Sequence, residues 1–276
     1  MHNSGSGNRG HSLNDGKELR ASYIGPEDLI DALDQNGAEP LSLASADFDE
    51  DGVPDLVSGY SYAGRGIVTL LRGNLDSIYP NSPEAQQRKS NGTFTQAPFL
   101  SPGHAFEVTR PADFVGAGDF DGDSHWDVVV ASRGDASLFL LSGNGKGRLS
   151  PGKEIKLAGT VTALVTGEIN RRDGLTDVVV GVDASDGPKV LVFEGPEGAL
   201  RSQPEIFPAR SSVVWLALGQ LDDDYNVDLA VATGAELLVI RGRDRKSSLS
   251  IKERAAVPAA QSSKRAFPFS IRSVAI

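Results

Sequence analysis

From about Leu41 onward the chain alternates short apolar runs with polar turns, and no run is long enough for a sizeable helix. Val, Leu and Ile cluster in strand-length segments, and Gly, Asn, Asp and Ser gather between them. The segments recur in a fixed order. An apolar strand comes first: Leu41–Ala44, Phe114–Val115, Val161–Val165 and Val213–Leu218. One small residue follows, Ala46, Gly118, Gly167 or Gly219, where backbones near an axis must approach closely. Then come an acidic loop, a β-branched strand, a polar turn and a third strand ending in Gly (Ile67–Gly73, Leu138–Gly143, Val190–Gly195, Leu237–Gly242). A fourth, more polar strand completes each unit.

The last acid of each loop falls at Asp55, Asp127, Asp177 and Asp228, giving spacings of 72, 50 and 51 residues. Units of about 50 residues with four short strands have the size of propeller blades. The surplus in the first spacing sits in Ser77–Gly103, rich in Pro, Ser, Asn and Gln, which reads as an inserted loop. Ahead of the units, residues 1–22 read as a polar disordered tail and 23–40 as a short helix and lead-in. The helix is expected over Pro26–Asp34, with Pro in its first turn, acids near its start and Gly37 as its stop. Residues 41–276 are the blades. Phe269–Ile276 looks like the first strand of another unit, so the expected fold is an all-β propeller with four recognisable four-stranded blades. It is expected to be incomplete, a fragment of a larger propeller whose further blades belong to the same parent chain.

The loops carry the chemistry. Loop one offers Asp47, Asp49, Asp51, the carbonyl of Val53, and Asp55; loop two offers Asp119, Asp121, Asp123, the carbonyl of His125, and Asp127. Hard oxygen ligands on alternate residues of a tight loop suit Ca²⁺, which takes six to eight oxygens in flexible geometry. Carboxylates this close repel unless a cation sits among them. The bland alternative is a set of solvated Asx-turns. An EF-hand is excluded, because its bidentate Glu at position 12 is Ser58 in loop one and Val130 in loop two. Loop three has one extra residue but still offers Glu168, Asn170, Asp173 and Asp177, with Arg171 and Arg172 as competing cations. Loop four offers Gln220, Asp222, Asp224 and Asp228. The apolar residue at the second loop position, Phe48, Phe120, Ile169 or Leu221, is read as the anchor to the core.

Gly118-Asp119-Phe120-Asp121-Gly122-Asp123, followed by Asp127-Val128-Val129-Val130, resembles the FG-GAP/VCBS calcium-loop repeats of integrin-like β-propellers, with Ser124 in place of the usual Gly. The resemblance covers about residues 41–276. It implies Ca²⁺ in the loops, an extracellular, cell-surface or periplasmic setting, and a noncatalytic scaffold for recognition or adhesion whose ligand is a protein or a glycan. The alternative is a propeller module attached to a secreted enzyme, such as a polysaccharide-cleaving one, whose catalytic part lies outside this chain.

Composition agrees with local acidity. The formal charge is −10, and the four loops hold sixteen of the 37 acids, so the rest of the chain would carry about +6. That phasing argues for bound cations and against general nucleic-acid affinity. There is no Cys, hence no disulfide or thiolate metal site. No segment reaches the ~20 apolar residues of a membrane helix, and no apolar signal core is visible. No catalytic constellation emerges. His2 and His11 lie in the tail, His104 is expected in a solvated loop, and neither H-E-x-x-H nor G-x-S-x-G occurs. Gly143-Asn144-Gly145-Lys146-Gly147 reads as a hairpin turn, not a phosphate loop. Trp126 and Trp215 are assigned to core packing in preference to ligand stacking.

Overall fold

A computed structural model describes residues 21–169, 174–195, 197–243 and 250–276. A short strand, β1 (Tyr23–Ile24), leads into helix α1 (Glu27–Asp34), which starts directly after Pro26 as expected. Blade one then runs through β2 (Glu39–Ala46), β3 (Asp55–Tyr62) and β4 (Arg65–Leu71). Before its outer strand the chain makes two helices, α2 (Leu75–Ile78) and α3 (Pro83–Ser90), and returns as β5 (Gly103–Val108). Blade two is β6 (Phe114–Gly118), β7 (Asp127–Ala131), β8 (Ser137–Leu141) and β9 (Lys153–Lys156). Blade three is β10 (Gly159–Gly167), β11 (Asp177–Ala184), β12 (Gly187–Phe193) and β13 (Glu205–Pro208). Blade four is β14 (Trp215–Gly219), β15 (Asp228–Thr233), β16 (Glu236–Ile240) and, after helix α4 (Ile251–Ala256), β17 (Ser262–Ala266).

Each blade is an antiparallel meander paired in sequence order; blade one gains β1 as a parallel fifth strand beside β5. The second strands read as Val-rich runs because both of their faces are covered. In β7, Val128 and Val130 face blade one while Val129 and Ala131 face blade three. Three cores therefore lie between successive blades, and a fourth forms where α1 lays Leu29 and Ala32 over Ile67 and Ala105 of blade one. The inner strands pack in one series, β2 on β6, β6 on β10 and β10 on β14. The described residues thus make an incomplete β-propeller of four blades.

The small residue that ends an inner strand makes room for a side chain that follows in the chain, not for a close approach of backbones as expected. A Cβ on Gly118 would lie 2.3 Å from Thr176 of the next blade. The same position in blade four, Gly219, faces Ile276 at 2.3 Å, so the chain's last residues stand where the next inner strand would, although Phe269–Ile276 forms no strand.

Four expectations need correction. Ser77–Gly103 is not a plain loop: Ser82 caps α3 by accepting from the Ala85 N–H at 3.1 Å, Pro83 opens it, and Arg88 reaches back to the buried Asp76 at 2.7 Å. Only Ala85 of α3 is buried, so no apolar periodicity announces the helix. Leu221 is no buried anchor; it is 38% exposed, whereas Phe48, Phe120 and Ile169 are buried. Trp126 and Trp215 are not core residues but are 38% and 45% exposed, since Val128–Val130 and Leu229–Val231 already fill those interfaces. His104 lies in β5, where burial holds its imidazole below its ordinary value and its ring stacks on Phe106. Residues 1–20, and with them most of the expected tail, lie outside the described residues.

Candidate metal centre

All four acidic loops connect the first and second strands of their blades. Their backbone course is set by one repeated device. The last carboxylate of each loop turns back into the blade, and in loops one, two and four it accepts two backbone N–H groups. Asp55 takes Phe48 N at 2.8 Å and Gly73 N at 2.6 Å; Asp127 takes Phe120 N at 3.0 Å and Gly143 N at 2.9 Å. Asp228 takes Leu221 N at 3.0 Å and Gly242 N at 2.9 Å, and Asp177 takes Ile169 N at 2.9 Å. This explains the glycine that ends each third strand. A Cβ on Gly143 would sit 1.9 Å from the Trp126 carbonyl oxygen, so only glycine can deliver that N–H.

The first loop position does similar work within the loop. Asp47 accepts from Asp51 N and Gly52 N at 3.0 and 2.9 Å; Asp119 accepts from Gly122 N and Ser124 N at 2.7 and 2.8 Å. Asp51 and Asp123 each cap an Asx-turn, accepting from Val53 N and His125 N at 2.9 Å. Loops one and two are also clasped to each other by His125 Nδ1 and Glu50 Oε1 at 2.6 Å, and Glu50 holds the imidazole above its ordinary value. The turn of the next blade leans on each loop: Gly147 N donates to the Phe48 carbonyl at 3.0 Å and Leu200 N to the Phe120 carbonyl at 3.3 Å. Each loop is therefore seated on an interface between blades.

Two three-carboxylate clusters result. Oxygens of Asp47, Asp49 and Asp55 lie within 4.8 Å of one another, as do those of Asp119, Asp121 and Asp127. Oxygens around one Ca²⁺, each at about 2.3–2.6 Å, can stand up to about 5 Å apart, so both clusters have the required size. In each, the third loop position is unsatisfied. Asp49 Oδ1 and Asp121 Oδ1 are buried and have no hydrogen-bond partner. Such an atom costs ~1–3 kcal/mol or more when charged, unless something positive meets it. The electrostatics say the same. Burial pushes Asp55 up to about 6 and Asp127 to about 7 from 3.8, against the pull of their two backbone bonds, with Asp49 and Asp121 respectively adding repulsion. Burial and Asp51 raise Asp49 as well. The donor set is all hard oxygen and fits Ca²⁺.

Asp51 and Asp123 lie outside these two clusters among the described residues. Among the described residues, loops three and four hold no such cluster. Glu168 and Asp177 flank loop three, while Asn170 and Asp173 lie outside the described residues. In loop four, Arg241 Nη1 stands 2.9 Å from Asp228 Oδ2 and 3.2 Å from Asp222 Oδ2. Asp224 is occupied by Asn226 N and Nδ2 at 2.8 and 3.2 Å, which hold its carboxyl below the usual range.

A family model described as FG-GAP repeat matches residues 40–71, and one described as FG-GAP-like repeat matches 119–171. The chain carries FG-GAP repeats. The two matched FG-GAP segments span β2–loop–β3–β4 of blade one and loop two through loop three. No curated protein matches the sequence. Among solved structures, BBS1N in complex with ARL6DN, soaked with lead, aligns at 15% identity and a TM-score of 0.49 over 86% of this chain and 54% of that one. The mercury-soaked crystal of the same complex gives 15% and 0.48, over 86% and 57%. The V. cholerae biofilm matrix protein Bap1 gives 15% and 0.34, over 76% and 38%. The chain thus spans little more than half the length of the first two. Among the described residues no helix is long and apolar enough to cross a membrane.

Proposed function

We propose that this chain is a calcium-stapled, noncatalytic propeller module that serves as a recognition scaffold for a protein or glycan outside the cell. The observation that carries the calcium reading is the pair of buried, partnerless oxygens, Asp49 Oδ1 and Asp121 Oδ1, each at the same place in a three-carboxylate cluster. Asp47, Asp49 and Asp55 hold one ion, and Asp119, Asp121 and Asp127 the other. Asp51, Asp123 and the carbonyls of Val53 and His125 complete the shells. Glu168, Asn170, Asp173 and Asp177 are the corresponding set of loop three. The ion would supply charge neutralisation to the clustered carboxylates. The chain's own contribution is a backbone already bent to the right shape by its carboxylate–amide bonds.

The recognition reading is supported by the FG-GAP repeats and by large apolar side chains on the loops. Trp126 is 38% exposed and lines a cleft of about 350 Å³ with His125 and Thr176, and Tyr225 of loop four is 90% exposed. Isothermal titration of the metal-stripped chain with CaCl₂ tests the first half of the proposal. At least two equivalents should bind, and no binding would reject it. Probing arrays of surface glycans and matrix proteins with the labelled chain, with and without Ca²⁺, tests the second half. An array on which nothing binds would remove the recognition reading.

A further inference from the structure

Four residues occupy one equivalent place in the four blades: Arg72, Ser142, Glu194 and Arg241. Each directly precedes the glycine that closes the third strand. The hairpin registers end at Leu56–Leu71, Val128–Leu141, Val178–Phe193 and Leu229–Ile240. One step further, the four residues stand opposite Asp55, Asp127, Asp177 and Asp228. Antiparallel pairing aims this side chain at the loop in blades one, two and four.

What the side chain does there differs. Ser142 Oγ donates to Asp121 Oδ2 at 2.9 Å and leaves Asp121 Oδ1 open. Arg72 reaches the rim of loop one, 3.4 Å from Asp49 Oδ2, with its side chain 42% exposed and Asp49 Oδ1 still open. Arg241 goes further in. It binds Asp228, which is fully buried, and Asp222 together, and neither of these has an unpartnered buried oxygen.

We propose that this position sets the charge each loop can accept, and that Arg241 is the built-in cation of loop four, which holds its acids without a metal. The proposal rests on the calcium reading of loops one and two. A guanidinium offers planar hydrogen bonds at about 2.8–3.2 Å, whereas Ca²⁺ needs the same oxygens at about 2.3–2.6 Å. Two positive centres this close repel, so an ion gains least where a guanidinium already holds both carboxylates. Where the residue is Ser, the oxygens are free for a dication; where it is a half-exposed Arg, as in loop one, the ion and the arginine compete at the rim. The expectation that Asp222, Asp224 and Asp228 hold an ion is replaced for loop four by this internal pair.

The test exchanges the residue types and counts ions. Metal-stripped parent, Arg241→Ser, Ser142→Arg and Arg72→Ser chains are titrated with CaCl₂ by calorimetry, with the fold checked by circular dichroism. Relative to the parent, Arg241→Ser should bind one more equivalent, Ser142→Arg should bind its loop-two ion at least ~10-fold more weakly, and Arg72→Ser should bind its loop-one ion at least ~10-fold tighter. An Arg241→Ser chain that is unfolded when stripped and folds on adding CaCl₂ also supports the proposal. A folded Arg241→Ser chain with parental stoichiometry overturns it. If Arg241→Ser folds under neither condition, Ser142→Arg decides: loop-two binding weakened at least ~10-fold or lost supports the proposal, and an unchanged affinity overturns it. A parent that binds no Ca²⁺ refutes the calcium reading itself, which is a distinct result from a parent that binds ions and a variant that fails to gain one.

Discussion

Removing calcium should make this protein less stable as pH rises, and Asp55 and Asp127 set the size of the effect. Their ordinary value is 3.8, and burial raises them to about 6 and about 7. A carboxyl whose folded value lies above its unfolded one favours the folded state most below the unfolded value, and that contribution is lost as pH rises through the folded value. Between pH 5 and pH 8 the metal-free chain therefore loses about one pH unit's worth from Asp55 and about two from Asp127. At about 1.4 kcal/mol per unit this is roughly 4 kcal/mol. For a chain of this size, 1 kcal/mol moves the melting temperature by about 2–4 °C, so melting should fall by roughly 10 °C. Calcium holds the same carboxylates ionised and should flatten the slope, so the stabilisation it gives grows with pH. The assay is scanning calorimetry from pH 5 to pH 8 at fixed ionic strength, on protein stripped with a chelating resin and on protein saturated with calcium. His125 is raised in part by Asp119 and Asp123 and would itself respond to the ion, so both series are repeated on a His125→Gln chain, and the difference that persists isolates the carboxylates. A stripped chain whose melting temperature is level or rising with pH, or equal slopes in the two series, would refute the reasoning.

Asp121→Ala should cost one calcium equivalent by calorimetry and leave loop one occupied; an unchanged count would place the ion elsewhere. Phe120→Ala empties a fully buried anchor under loop two and should cost about 3–5 kcal/mol by denaturant unfolding. Gly143→Ala drives a Cβ against the Trp126 carbonyl and dislodges the N–H that holds Asp127; it should destabilise by more than ~2 kcal/mol and weaken loop-two calcium binding, both measurable in one titration series. Asp76→Ala frees Arg88 and should loosen α2 and α3 alone, seen as faster amide exchange over residues 75–90 with blade exchange unchanged.

The parts of this structure that were legible in the sequence are those whose causes are local. The carboxylate spacing of Asp47 to Asp55 and the glycine after the third strand are constraints felt within one hairpin, and they repeat. What escaped notice acts across a hairpin or lacks an apolar face. Arg241 lies 13 residues after Asp228 and meets it only through strand register. The glycine beside it was the available marker, because the residue before that glycine must face the loop. Helix α3 carries the signs of a start in Ser82, Pro83 and Glu84, but with Ala85 as its only buried residue it looks like polar loop text. Trp126 and Trp215 were placed inside on bulk alone. The interfaces between blades are thin and already filled by Val and Leu, which leaves the indoles outside.

The carboxylate–amide bonds that shape loops one and two are made by the chain's own backbone and run through no ligand atom. A cradle braced in this way would leave a bound ion little backbone to rearrange. What it changes is the electric potential of that rim, by two positive charges at each site. Calcium in this molecule would then act as a dial on long-range attraction, tuning how fast a charged partner is drawn in while the contour that partner meets stays the same.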